Sequence, residues 1–273
     1  MQFGYFTLSD NRYPNNPRSA EEFLRDIYAE ALLAEKVGLN SAWIGEHHFN
    51  LLGVNASPLA MLAQLAGATT KLRLAPAVTL LPVHHPLHVA EEWATLDLLS
   101  GGRVELGMGE AAGPAELHPF GIRVRDKRER WEEAVKAIVP MFTRDSWEFH
   151  GQYYDFPARN VIPKPLQKPH PPLWVACSQL ETLAKCGEWG MGALGFQFVS
   201  ADAAHAWVHA YYNAFVKRQK KLADYRSNPN IALVSFFMCA KTDEEARARA
   251  DGDTFFQFGT SSTASNWMLR VGT

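Results

Sequence analysis

Leu72-Arg73-Leu74-Ala75-Pro76-Ala77-Val78-Thr79-Leu80-Leu81, residues 72–81, is an almost unbroken apolar run with one charged side chain. A strand with one face in water alternates polar and apolar residues. A run this continuous reads as a strand buried on both faces, as in a parallel sheet covered by helices. The flanking sequence supplies those helices. Ahead of the run, Leu59, Leu62, Ala63 and Ala66 recur at helical spacing after Ser57-Pro58. Behind it, Leu87 to Leu99 is helical and stops at Gly101-Gly102.

The same rhythm extends both ways. Phe3 to Leu8 reads as a first strand, and Ser19 with Glu22 forms a capping box for a helix closed by Gly38. Ser41 to His47 is a second strand and Arg103 to Gly109 a fourth, followed by a helix with Trp131, Val135, Ile138 and Phe142 on its apolar stripe. Trp147 to Phe156 reads as a hairpin around Gly151, and 161–172 as a proline-rich connector. Strands at Leu173–Cys177, Ala193–Phe198 and Ile231–Ala240 alternate with helices at Glu181–Trp189, at Ala201–Leu222 and from Asp243. Roughly seven β/α units in order predict an α/β fold, a (β/α)8 TIM barrel in one domain over 1–273, with 145–172 as an insertion. A doubly wound open sheet is the alternative. The tail Gly259 to Thr273 makes a poor eighth strand, so either the chain is cut short or its last element is atypical.

Composition narrows the function. Of 273 residues 47% are hydrophobic and 21% charged, enough apolar material for a large core, and the net charge of -2 offers no basic stripe for nucleic acid. Three scattered cysteines, Cys177, Cys186 and Cys239, form no disulfide framework or zinc-ligand spacing. With no signal peptide and no membrane-length apolar run, the expected location is the cytoplasm.

Active sites of barrels sit at the C-terminal ends of strands. There the sequence places Glu46-His47-His48-Phe49, His84-His85-Pro86, Gly109-Glu110 and Cys177-Ser178. A core has no need of four histidines at two neighbouring strand ends. Glu46 and the histidines at 47, 48, 84 and 85 also offer ligands for a divalent metal, which would make a barrel hydrolase. However, His47 and His48 point opposite ways along a strand, so both cannot enter one metal site without a bend. Gly107-x-Gly109-x-x-Ala112 superficially matches a dinucleotide fingerprint, but Gly113-Pro114 follows where its helix should start.

These residues also carry a resemblance. Trp43 to Phe49 resembles the E-H-H-F signature of bacterial-luciferase-like, flavin-dependent monooxygenases. The likeness continues through 75–82, His85-Pro86, Ala90-Glu91-Glu92, Ser100-Gly101-Gly102-Arg103, Pro119-Phe120-Gly121-Ile122, 172–176 and 242–246. It implies a monooxygenase that uses reduced FMN, or in some branches a deazaflavin, with O2 to oxygenate a small organic substrate. It further implies a separate NAD(P)H-flavin reductase and a homodimer. His47 is implied as the catalytic histidine, with Glu46 orienting it or the flavin ring. Ala77 and Val78 are implied as a non-proline cis peptide under the ring, Gly109 and Glu110 as contacts of ring edge and ribityl chain, and Ser178 as a phosphate contact. Relatives carry arginine where Glu110 stands, and a carboxylate there would repel a phosphate. Either another cation serves, with Arg103, Arg123 and Arg125 as candidates, or Glu110 faces substrate, or flavin binding is weakened. A flavin-binding relative without catalysis is a third reading, alongside the metal-dependent hydrolase.

Overall fold

The computed structural model describes residues 1–9, 11, 17–49, 53–111, 113–195, 201–217, 220–234 and 240–248. The chain divides into two compact units, Met1–Leu233 and Val234–Thr273. In the first, β1 (Gly4–Thr7), α1 (Ala20–Lys36), β2 (Ser41–Ile44), α2 (Pro58–Ala68), β3 (Arg73–Pro76), β4 (Thr79–Leu80), α3 (Pro86–Leu99), β5 (Leu106–Gly109) and α4 (Pro114–Leu117) come first. They are followed by α5 (Lys127–Met141), β6 (Trp147–His150), β7 (Asp155–Arg159), β8 (Leu173–Cys177), α6 (Leu180–Trp189), β9 (Gly192–Gly195), α7 (Ala201–Val216) and β10 (Ile231–Leu233).

The strands run in the orders β1-β2-β3 and β10-β9-β8-β5-β4, all pairs parallel. A parallel bridge between Leu74 and Val104 joins the two sheets. The order is that of a TIM barrel, with seven strand positions among the described residues when β3 and β4 are taken as one. The expected apolar run at 72–81 is buried as predicted, yet it is not one strand. The Ala77–Val78 peptide is cis and divides β3 from β4. There Ala77 N–H donates to the Ile44 carbonyl at 2.7 Å and keeps the segment against β2.

Local chemistry explains several boundaries. Ser19 and Glu22 form the reciprocal cap predicted for α1, and Gly38 beyond its end has φ +87°. Gly101 and Gly102 both take positive φ after α3, which a side chain would resist. The hairpin β6–β7 is antiparallel, as expected. Its turn is fastened by Glu133 of α5, whose carboxylate accepts the N–H groups of Gln152, Tyr153 and Tyr154 at 3.1, 2.8 and 2.8 Å.

Four expectations need correction. The second strand ends at Ile44, so Glu46, His47 and His48 lie beyond it, where the chain has left the sheet. The fourth begins at Leu106, with Val104 held only by its bridge. Gly113-Pro114 does start a helix, a short one with proline in its first turn, where the missing N–H costs nothing. The helix expected to reach Leu222 ends at Val216. The expected extensions of the sixth strand over 196–198 and of the seventh over 235–239, together with Cys239 and the tail from Gly259, lie outside the described residues. In the second unit, residues 243–248 are helical and Glu245 N–H donates to the Thr242 side chain at 3.2 Å. Among the described residues no helix is long and apolar enough to cross a membrane.

The core wraps this sheet with Ile27, Leu62, Leu65, Leu74, Trp93, Leu96, Trp131 and Phe142, each at most 2% exposed. Where β5 crosses β3 the packing is backbone on backbone, and a Cβ on Gly107 would be driven into the Pro76 carbonyl oxygen. Gly107→Ala is therefore expected to cost about 1–3 kcal/mol, at the upper end because backbone cannot rotate aside. A denaturant melt showing wild-type stability would contradict this contact.

Candidate active site

Two carboxylates organise the strand-end histidines, and they divide them into two pairs of partnerships. Glu46, 3% exposed, accepts from His48 Nε2 at 2.8 Å and from His84 Nε2 at 2.6 Å through the same oxygen, Oε1. Its other oxygen lies 3.3 Å from the Leu80 N–H. Glu116, 1% exposed, lies 3.0 Å from His47 Nδ1 and accepts the His48 N–H at 3.3 Å. His47 and His48 thus diverge, as read from the sequence. The expected pairing of Glu46 with His47 is replaced, because Glu46 is consumed by His48 and His84 and the partner of His47 is Glu116.

Burial alone would push the Glu46 carboxyl up, but the hydrogen bonds and charge of His48 and His84 outweigh it and hold it below the ordinary range. His84 shows the mirror image. Burial disfavours its cation, yet the Glu46 hydrogen bond and charge raise it above the ordinary imidazole value. His85 shapes the chain: its Nδ1 accepts the Leu87 N–H at 3.3 Å and caps α3.

His47 is seated sterically as well. A Cβ on Gly53 would lie 2.6 Å from the His47 Cδ2 atom, so the ring packs on bare backbone. A second apolar cluster, separate from the main core, gathers Val78, Leu80, Ala111, Leu117 and Ile122, with Ala176 and Leu194 packed against it. Leu117 belongs to α4 with Glu116, so one short helix supplies both the histidine's acceptor and part of this floor. Gly109 meets Val78 closely enough that any Cβ would collide with the valine Cγ2.

None of the three arginines offered as phosphate partners is the one that pairs with Glu110. Arg103 is spent at the other end of the strands, donating to the carbonyls of Ala66, Thr69, Leu72 and Ser100. Arg123 and Arg125 pair with Asp126. Instead Arg128 Nε lies 2.7 Å from Glu110 Oε1. No local signal singles out Arg128, which lies in the first turn of α5 beyond the intervening α4. Ser178 lies two residues before α6, whose cap Gln179 makes no side-chain hydrogen bond. Cys177 and Cys186 are fully buried small side chains with sulfurs 3.3 Å apart, and burial pushes the Cys186 thiol up.

Glu46, His48 and His84 also bring one ligand atom each within 4.8 Å of the others, a spacing open to a metal ion. His47 and His85 stand outside that group. A separate cleft of about 260 Å³, lined by Lys136, Arg144, Trp147 and Asp224 among others, shares no residue with these clusters.

Comparison with known proteins gives this geometry its relatives. The oxygenase component of a flavin-dependent trigonelline monooxygenase from Acinetobacter baylyi is 30% identical over 85% of this chain and 65% of its own. The chain spans about half the length of other curated relatives that it matches. Monooxygenase RslO1 from Streptomyces bottropensis superposes with a TM-score of 0.83 at 24% identity, over 99% of this chain and 82% of that one. The oxygenating constituent of 3,6-diketocamphane monooxygenase from Pseudomonas putida, solved with FMN, gives a TM-score of 0.78 at 22% identity, over 90% and 69%. The profile of the family described as luciferase-like monooxygenase matches residues 1–270, and the chain belongs to that family.

Proposed function

We propose that the chain is the oxygenase of a two-component system. It takes reduced FMN from a separate NAD(P)H-flavin reductase and oxygenates a small organic substrate with O2. The observation that carries this is the His47 imidazole held by the buried Glu116, whose neighbour in α4, Leu117, belongs to the apolar floor formed with Val78, Leu80 and Ala111.

The residues fit a flavin by their chemistry. The floor suits a planar apolar ring, and Ala77 and Val78 form part of its wall with Gly109. Ser178 and the start of α6, whose cap makes no side-chain hydrogen bond, suit a phosphate, while Arg128 beside that start is already paired with Glu110. When bound, the reduced flavin would supply the electrons that activate O2. The protein's share is to bind and orient it, to exclude water through the apolar floor, and to move a proton. His47 has its Nδ1 occupied by Glu116, which leaves Nε2 as the atom that would take or give a proton. Glu46 would hold His48 and His84 as a charged rim without touching His47. The FMN-bound diketocamphane relative supports a flavin as the group held here. Family likeness also supports a homodimer.

Anaerobic titration with reduced FMN, with a reduced deazaflavin in parallel, tests the reading. Saturable quenching by FMN, followed by O2 uptake once reductase and NADH are added, is expected. Absence of binding by either flavin, or stoichiometric zinc or manganese in purified protein, would return the metal-hydrolase alternative to the front.

A further inference from the structure

Glu110 follows the last residue of β5 and is mostly buried, its side chain 16% exposed. Its partner Arg128 is held from three sides. Nε lies 2.7 Å from Glu110 Oε1, Nη2 lies 3.5 Å from Thr182 Oγ1 in the first turn of α6, and the guanidinium carbon sits 5.7 Å from the Trp189 ring centroid. Nη1 is buried and has no hydrogen-bond partner among the described residues. Such an N–H, within an ion pair of no net charge, offers a phosphate one hydrogen bond of about 1 kcal/mol and little net attraction. The nearby Lys127 already donates its Nζ to the Ala111 carbonyl at 3.1 Å.

A phosphate dianion brought to Nη1 would find a cation already neutralised. It would also face the Glu110 carboxylate on the same guanidinium. The pair therefore cancels most of the attraction that Arg128 alone would exert.

We propose that Glu110 is a specificity-determining residue that, by holding Arg128 in an ion pair, makes this site nearly indifferent to the flavin 5′-phosphate, so that riboflavin is accepted alongside FMN. The inference rests on the reading of the strand ends as a flavin site. It adds which flavins that site distinguishes.

Equilibrium titration of the wild-type protein and of Glu110→Gln with FMN and with riboflavin tests it, read by flavin fluorescence and independent of turnover. In the wild type the two affinities are expected to lie within about tenfold of each other. In Glu110→Gln FMN is expected to tighten about tenfold while riboflavin is unchanged. An unchanged FMN-to-riboflavin ratio in the variant, or a wild-type preference for FMN well beyond tenfold, would overturn the inference and leave the flavin site standing. Binding of neither flavin by either protein would overturn both. Should the variant not fold, the wild-type ratio alone decides.

Discussion

His47→Ala is expected to bind reduced FMN within about threefold of the wild type while oxygenation falls by about 10²–10⁴, the usual worth of a positioned acid–base group. The asymmetry follows from where the imidazole sits. Its Nδ1 is turned to Glu116 and its ring rests on Gly53, so removing it deletes those two contacts and leaves Val78, Leu80 and Arg128 in place. Glu116→Leu keeps the imidazole but removes its acceptor, and should fall between the two. Single-turnover substrate oxidation with pre-reduced FMN separates binding from chemistry. A His47→Ala enzyme that turns over at the wild-type rate would remove the histidine from the reaction.

Glu46→Ala should be the most destabilising change at the strand ends, and its cost should depend on pH. Near pH 6 the loss is expected to reach about 3 kcal/mol, because two partly buried histidines lose the acceptor they share. The Glu46 carboxyl is held below its ordinary value in the folded protein, so its contribution is complete above about 4.3 and disappears as pH falls through the folded value. His84 is held above its ordinary value, so its contribution is complete below about 6.5 and disappears as pH rises through the folded value. Both are in full force only between those limits. Denaturant melts of the two proteins from pH 2 to 9 should therefore differ most in that window, with the difference shrinking on either side. A difference that stays flat across the range would mean the cluster is held by packing alone.

Much of the scaffold could be read before any coordinates, because its signals are local. The capping box at Ser19, the glycine pair after α3 and the continuous apolar run at 72–81 each state their structure within a few residues. The site was only half legible. The strand-end histidines announced themselves by type and position. Their partners did not, since Glu116 lies 69 residues from His47 and sits in a four-residue helix with no periodicity to reveal it. Arg128 was hidden for a related reason. Sequence sets Glu110 near the end of a strand, but not which of the arginines beyond it, in loop or in α5, folds back to pair with it.

An inserted hairpin such as β6–β7, residues 147–159, invites comparison with a lid. Its turn is instead stapled by a single side chain, with three consecutive amides converging on the Glu133 carboxylate much as a loop gathers around an ion. Tyr154 then reaches from that turn to the Leu81 carbonyl at 3.3 Å, just past the end of β4. A segment pinned at its tip and to the residue just past β4 is masonry rather than a door, so the hairpin is expected to stay shut while other parts of the unit move.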